Sequence, residues 1–292
     1  MKKKSIILTG PNGHLGKSML QKLLKKYYVI GISRNASNVN IDSELLSNYR
    51  PLNIDLEITS YKKIIENINK ILCENNLFIF ALINNAYYGL PSDPLTNDIL
   101  ELRRCFDGMF LSQTTISTSI ADQMKSGGSI INIGSMYGKV SPRESDYPNY
   151  QMLNPLIYGA MKAALIQSSK WMSSKYASKG IRVNSVSYGP FPSEDVQKNH
   201  PEFIKNLAKN THLKRIGNAN ECSGIIDFLI SELKKYKKNV ILIGPIPKPN
   251  FNFASEYSRQ IIFKGNKYKL NEDREVFDKK YKDIINYYEN KL

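Results

Sequence analysis

The chain predicts an α/β fold, a doubly wound parallel sheet of about seven strands with helices on both faces. Three observations carry this expectation. Short apolar runs alternate with amphipathic helical stretches along most of the 292 residues. The first apolar run leads into a glycine-rich turn and then a helix. Prolines crowd the segment that follows residue 243, where a central strand cannot continue because each proline lacks a ladder donor.

Strand-like runs fall near 5–9, 28–32, 51–53, 78–83, 129–133, 181–186 and 239–243, and helical stretches near 15–26, 60–74, 97–125, 156–178 and 219–233. The start Met1-Lys2-Lys3-Lys4 resembles the charged front of a secretory signal, but its apolar stretch is cut short at Thr9-Gly10 and reads as strand one. Next comes Thr9-Gly10-Pro11-Asn12-Gly13-His14-Leu15-Gly16, whose backbone N–H groups and following helix N-terminus suit a pyrophosphate. Glycines also end strands for purely steric reasons, so the turn alone does not decide the matter. The second strand ends in Ser33-Arg34-Asn35. An acid here would bond the ribose 2′-hydroxyl of NAD, whereas a planar guanidinium suits the 2′-phosphate of NADP, so the residues favour NADP(H) over NAD(H). The competing reading makes Arg34 a solvated loop cation. With the proline run Gly244-Pro245-Ile246-Pro247 the first domain, 1–247, ends. The extension 248–292 predicts a final helix near 273–290, with Val276, Phe277, Tyr281, Ile284, Ile285 and Tyr288 at helical spacing.

The chemistry is concentrated between residues 129 and 162. Run 129–133 is followed by Gly134-Ser135, where a strand ends and a side chain can face a cleft, so Ser135 can bond a substrate oxygen. Tyr158 and Lys162 lie one helical turn apart, which places an ammonium near a phenol and favours its ionised form. That makes Tyr158 a candidate proton donor. A tyrosine and lysine at this spacing are common on ordinary helix surfaces; the surroundings give the pair its weight.

Together with Asn84-Asn85-Ala86, Asn132-Ile133-Gly134-Ser135, Ala163-Ala164-Leu165 after Lys162, and Ile181-Arg182-Val183-Asn184-Ser185-Val186, these motifs resemble the short-chain dehydrogenase/reductase family from about residue 5 to about residue 243. The resemblance implies a Rossmann-like domain in which Ser135 orients the reacting oxygen, Tyr158 exchanges the proton, and Lys162 lowers the tyrosine pKa and bonds the nicotinamide ribose. It places Asp55-Leu56 at the adenine ring, and Asn85, Ala86, Ile133, Gly189 and Ser193 around the cofactor with Gly10, Asn12, Gly13, His14, Leu15, Gly16, Ser33, Arg34 and Asn35. Several residues depart from the family. His14 stands where the shorter branch has glycine, and Cys105 stands where an asparagine holds a relay water. Tyr188-Gly189-Pro190 replaces a proline-glycine, and Lys237-Lys238-Asn239 and Gly244-Pro245 replace the turns around the last strand.

The formal net charge of +15 admits an anionic partner, but the lysines are dispersed among asparagine, isoleucine and tyrosine and no nucleic-acid module is recognisable. Cys73, Cys105 and Cys222 lack metal-ligand spacing and read as reduced thiols, so no metal is expected and the predicted location is cytoplasmic. No apolar run is long enough for a bilayer, and no membrane partner is expected. The resemblance implies a homo-oligomer, dimer or tetramer.

Between Ser135 and Tyr158 the chain is longer than usual in the family by roughly ten residues, and such loops commonly build specificity. Lys139, Arg143, Glu144, Asp146, Tyr147, Tyr150 and Gln151 predict a mobile polar and aromatic cleft wall suited to a hydroxyl-rich substrate. The segment is similar to dehydrogenases of bacterial surface-sugar and flagellin-glycan pathways, which implies a sugar or sugar derivative as substrate, with the free, phosphorylated and nucleotide-linked forms all open. Two alternatives stay open: a 3-oxoacyl-thioester reductase, and a non-catalytic cofactor-binding regulator or scaffold suggested by Cys105 and the altered last strand.

Overall fold

The computed structural model describes residues 2–231 and the backbone of 240–243. Seven strands form one parallel sheet in the order β3-β2-β1-β4-β5-β6-β7. They are β1 (Lys3–Thr9), β2 (Tyr28–Ser33), β3 (Tyr49–Asn53), β4 (Leu77–Asn84), β5 (Ser129–Ile133), β6 (Arg182–Tyr188) and β7 (Val240–Ile243). Every predicted strand is present. The order reverses between β1 and β4, so the cleft at the strand C-terminal ends opens where the connections diverge.

Residue alternation explains the two-sided burial. In β1, Ile6 and Leu8 point to one face and Ile7 to the other, and all three are fully buried. Ile6 and Leu8 join Met19, Leu20 and Leu23 of α1 (His14–Leu24) and Ile226 of α8 (Cys222–Ile230). Ile7 joins Ile64 and Ile68 of α2 (Tyr61–Glu74) with Ile116 and Ile120 of α4 (Ser112–Ala121). Each such side chain contributes about 1.5–3 kcal/mol when removed from water. Continuous Ile/Leu runs are what a strand covered on both faces requires.

The predicted helix 97–125 is three pieces: α3 (Ile99–Phe106), a π turn (Asp107–Leu111) and α4. Asp98 caps α3 by accepting from the Leu100 N–H at 2.8 Å. At the π turn, a Cβ on Gly108 would run into the Tyr88 carbonyl, so glycine permits a close approach of helix and loop. The helix carrying Tyr158 and Lys162 is α5 (Leu156–Tyr176), as predicted. Two helices escaped the sequence pattern, α6 (Glu194–Asn199) and α7 (Pro201–Lys209). Ser193 caps α6 by accepting from Val196, and Pro201 opens α7, where a missing N–H costs nothing. The segments at 237–239 and 244–245, the domain end near 247 and the predicted helix 273–290 lie outside the described residues.

Candidate active site

A cavity of about 780 Å³ opens at the C-terminal ends of β1, β2, β4, β5 and β6. Gly10 holds φ +67, a left-handed conformation that glycine adopts without strain. A Cβ at Gly16 would collide with the Gly10 carbonyl, so Gly16 lets α1 start directly beneath the turn; it lies under the cavity rather than lining it. The Asn85 amide donates to the Thr9 and Gly10 carbonyls at 3.2 and 3.0 Å, while the Thr9 hydroxyl accepts from the Asn85 and Ala86 N–H groups. Asn85 thus fastens the turn to β4. Beneath it the Asn84 amide donates to the Ser117 hydroxyl (2.7 Å) and to the Asn132 side-chain oxygen Oδ1 (2.8 Å), and the Asn132 amide Nδ2 donates to the Ser169 hydroxyl. This buried polar ladder ties β4, β5, α4 and α5 together under the cleft.

Asn12, Gly13, His14 and Leu15 line the cavity, as do Ser33, Arg34 and Asn35. Buried Nε2 of His14 and buried Oγ of Ser33 have no hydrogen-bond partner in the protein. Burial pulls the His14 pKa down, against the Glu194 carboxylate that raises it. Open glycine backbone at a helix start and two orphaned polar atoms fit a dinucleotide, whose phosphate and ribose oxygens would satisfy them. Asp55 and Leu56 also line this end, and the Asp55 carboxylate accepts from the Glu57 N–H. Glu57 is paired with Arg104 through two hydrogen bonds of 2.6 and 3.1 Å and also interacts electrostatically with Arg34.

Ser135, Tyr158 and Lys162 meet at the floor between β5 and α5, alongside Ile133. The Ser135 hydroxyl accepts from the Tyr137 N–H at 3.2 Å and lies near enough to the Tyr158 phenol to favour its ionised form. Lys162 is 2% exposed, donates to the Ile133 carbonyl at 2.7 Å, and lies 5.7 Å from the Tyr158 ring centroid and 5.4 Å from that of Tyr87. Lys162 is not among the groups that shift Tyr158. Burial pushes Tyr158 up to about 12, opposed by the Ser135 hydrogen bond, with Tyr87 and Tyr147 adding to the rise. Burial also pulls Lys162 down to about 8. Desolvation is the leading cause of both shifts, and the ammonium donates to a backbone carbonyl.

Around this floor the structure brings in residues that the sequence did not single out. Tyr87 packs edge-on against Tyr158, and Phe191, Phe203 and Leu207 close the far wall. Phe203 and Leu207 sit one turn apart on α7; their spacing after Pro201 was the available signal. Gly189 and Ser193 line the cavity, with the Ser193 hydroxyl also spent on its helix cap. Tyr188 donates its hydroxyl to the Cys222 carbonyl at 2.7 Å, so it braces β6 against α8. Cys105 is buried outside the cavity lining with its thiol on the Gly89 carbonyl. The segment between Ser135 and Tyr158 does form a wall, through Tyr137, Tyr147, Met152 and Asn154, and it makes specific contacts with its surroundings. Asp146 is held by Arg143 and Asn210, and the Tyr147 ring rests on Phe203 with centroids 5.0 Å apart.

A family model described as enoyl-(acyl carrier protein) reductase matches residues 54–242, well over half of the chain. The chain belongs to the short-chain dehydrogenase/reductase family. As a member of that family it is an NAD(P)-dependent oxidoreductase. It is 32% identical over 248 residues to the 3-oxoacyl-[acyl-carrier-protein] reductase of Buchnera aphidicola subsp. Schizaphis graminum, covering 81% of this chain and 93% of the relative. The post-translational flagellin modification protein A of Campylobacter coli is 25% identical over 258 residues, with 83% and 97% covered. Among solved structures, a short-chain dehydrogenase from Leptospira borgpetersenii with bound NAD+ superposes with a TM-score of 0.71 at 23% identity, covering 84% of this chain and 93% of its own. ElxO with NADP bound gives 0.67 at 24% identity, with 82% and 97% covered. Proteins of this fold thus include one with bound NAD+ and one with bound NADP. Among the described residues no helix is long and apolar enough to cross a membrane, and no cluster of side chains could hold a metal ion.

Proposed function

We propose that the protein transfers a hydride between NADP(H) and the carbonyl or hydroxyl carbon of a sugar-like substrate. The observation that carries this reading is the meeting of Ser135, Tyr158 and Lys162 at the floor of a cavity walled by phenols. When bound, the nicotinamide supplies or accepts the hydride. In the reduction direction Ser135 bonds the carbonyl oxygen and Tyr158 delivers a proton to it. A phenol whose pKa stands at about 12 is fully protonated near neutrality, ready to donate. Lys162 holds the cofactor ribose and carries positive charge to the oxygen that develops negative charge. Ser33, Arg34 and Asn35 recognise the 2′-phosphate, with Arg34 as its cation. The likeness to a flagellin modification protein supports a glycan-related substrate.

A second reading, reduction of an acyl-carrier thioester, is favoured by the 32% identical relative and by the chain's net charge of +15, which suits an acidic carrier. The polar wall at Tyr147 and Asn154 argues for the sugar. Screening sugars, polyols and an acetoacetyl thioester against cofactor absorbance separates the two. Tyr158→Phe should then abolish turnover of whichever substrate reacts while cofactor binding persists; a variant with most of its rate would remove Tyr158 from the mechanism.

A further inference from the structure

The substrate end of the cavity carries a short hydrogen-bonded rail. The hydroxyls of Tyr137 and Tyr147 are 2.7 Å apart, and the Asn154 amide donates to the Tyr147 oxygen at 3.0 Å. All three residues line the cavity. Two phenols own two protons, and one is consumed between them, so whichever way that bond points one O–H remains, together with phenol lone pairs, to meet a ligand. The rail stands beside the reacting centre, since Tyr137 and Tyr147 both interact electrostatically with Tyr158.

Charge is distributed unevenly along the same cavity. Among the described residues its cationic side chains are Arg34 and Lys162. Arg34 follows β2, three strand positions from β5, a lateral separation of about 14 Å at ordinary strand spacing. Lys162 is buried against the Ile133 carbonyl. Near the rail stands the Asp146 carboxylate, which acts on both phenols and is held by Arg143 at 3.2 Å and by the Asn210 amide at 2.7 Å. A phosphate at this end would find Arg143 already paired with Asp146 and Lys162 already donating to the Ile133 carbonyl, so its charge would lack a dedicated partner such as Arg34 provides at the other end.

From this geometry we infer that Tyr137, Tyr147 and Asn154 set specificity for an uncharged substrate bearing a hydroxyl on the carbon next to the reacting one, and that they discriminate against its phosphate ester. The inference rests on the sugar reading above and makes it narrower. The reacting oxygen occupies Ser135 and Tyr158, and the neighbouring hydroxyl exchanges hydrogen bonds with the phenol pair, whose Tyr147 ring is backed by Phe203. Tyr147 and Asn154 act by positioning, so they should govern KM more than kcat.

The test uses the full-length protein with NADP and a panel of D-glucose, D-galactose, galactitol and myo-inositol, each beside its monophosphate and its monodeoxy analogue lacking the neighbouring hydroxyl. In the wild type, kcat/KM for the best polyol should exceed that for its phosphate and for its deoxy analogue by about tenfold each. Tyr147→Phe keeps the ring on Phe203 and removes the hydroxyl; it should erase most of the preference over the deoxy analogue, mainly through KM. Asn154→Ala should shift the same ratio in the same direction, and carries the test should the phenylalanine variant fail to fold. If no polyol or sugar reacts while the thioester does, the sugar reading fails and takes this inference with it. If polyols react but the phosphate is preferred, or both variants leave the polyol-to-deoxy ratio unaltered, the rail inference alone is overturned.

Discussion

Lys162 makes a measurable demand on stability. Its ammonium is buried at 2% exposure and its pKa falls from 10.5 to about 8, with burial as the cause. Below pH 8 the folded and unfolded states both carry the proton, and the folded state bears the full cost of desolvating the charge. As pH rises above 8 the folded protein releases the proton while the unfolded chain still holds it, so the unfolded state binds more protons and stability rises until about pH 10.5. The whole interval corresponds to about 3 kcal/mol, of which about 2 kcal/mol is recovered between about pH 7 and about pH 9.5. Other lysines, cysteines and tyrosines titrate over the same range, so the quantity to measure is a difference. Urea denaturation of wild type and Lys162→Met, without added cofactor, at both pH values isolates the contribution. The methionine variant loses the bond to the Ile133 carbonyl at every pH, a constant offset. The wild-type-minus-variant stability should climb by about 2 kcal/mol toward the alkaline end. A flat difference, or one that falls, would refute the claim that Lys162 is a desolvated charge, and with it the explanation of why the lysine does not depress Tyr158.

Arg34→Ala should cut the preference for NADP over NAD by about ten- to a hundredfold in binding titrations, the usual contribution of a charge-assisted phosphate contact; an unaltered ratio would make Arg34 a solvated loop cation. Gly16→Ala forces a methyl into the Gly10 carbonyl, so cofactor affinity should fall by at least about tenfold, with a lowered melting temperature; normal affinity would mean that the turn is not the pyrophosphate cradle. Spectrophotometric titration should find Tyr158 un-ionised through about pH 10, so that the wild-type-minus-Phe difference in phenolate absorbance is absent below that pH; an ionised Tyr158 near neutrality would contradict a burial-dominated pKa.

Much of the molecule was legible because its signals are local. The continuous apolar run Ile6-Ile7-Leu8, the glycine turn Gly10 to Gly16, and the one-turn spacing of Tyr158 and Lys162 are local patterns that the sequence carries directly. These determined the sheet, the location of the cleft and the residues at its floor. Tertiary structure decided what depends on distant segments converging. The wall joining Tyr147 to Phe203 and Asp146 to Asn210 brings together residues more than fifty positions apart, and no local pattern records that meeting. Helix α7 escaped notice because a short amphipathic stretch is marginal by itself and is fixed by packing against the wall it completes. The sign of the Tyr158 shift was likewise a tertiary matter. Spacing places a lysine near a tyrosine, but whether attraction or desolvation dominates depends on how deeply both are buried and on the Ile133 carbonyl that claims the ammonium.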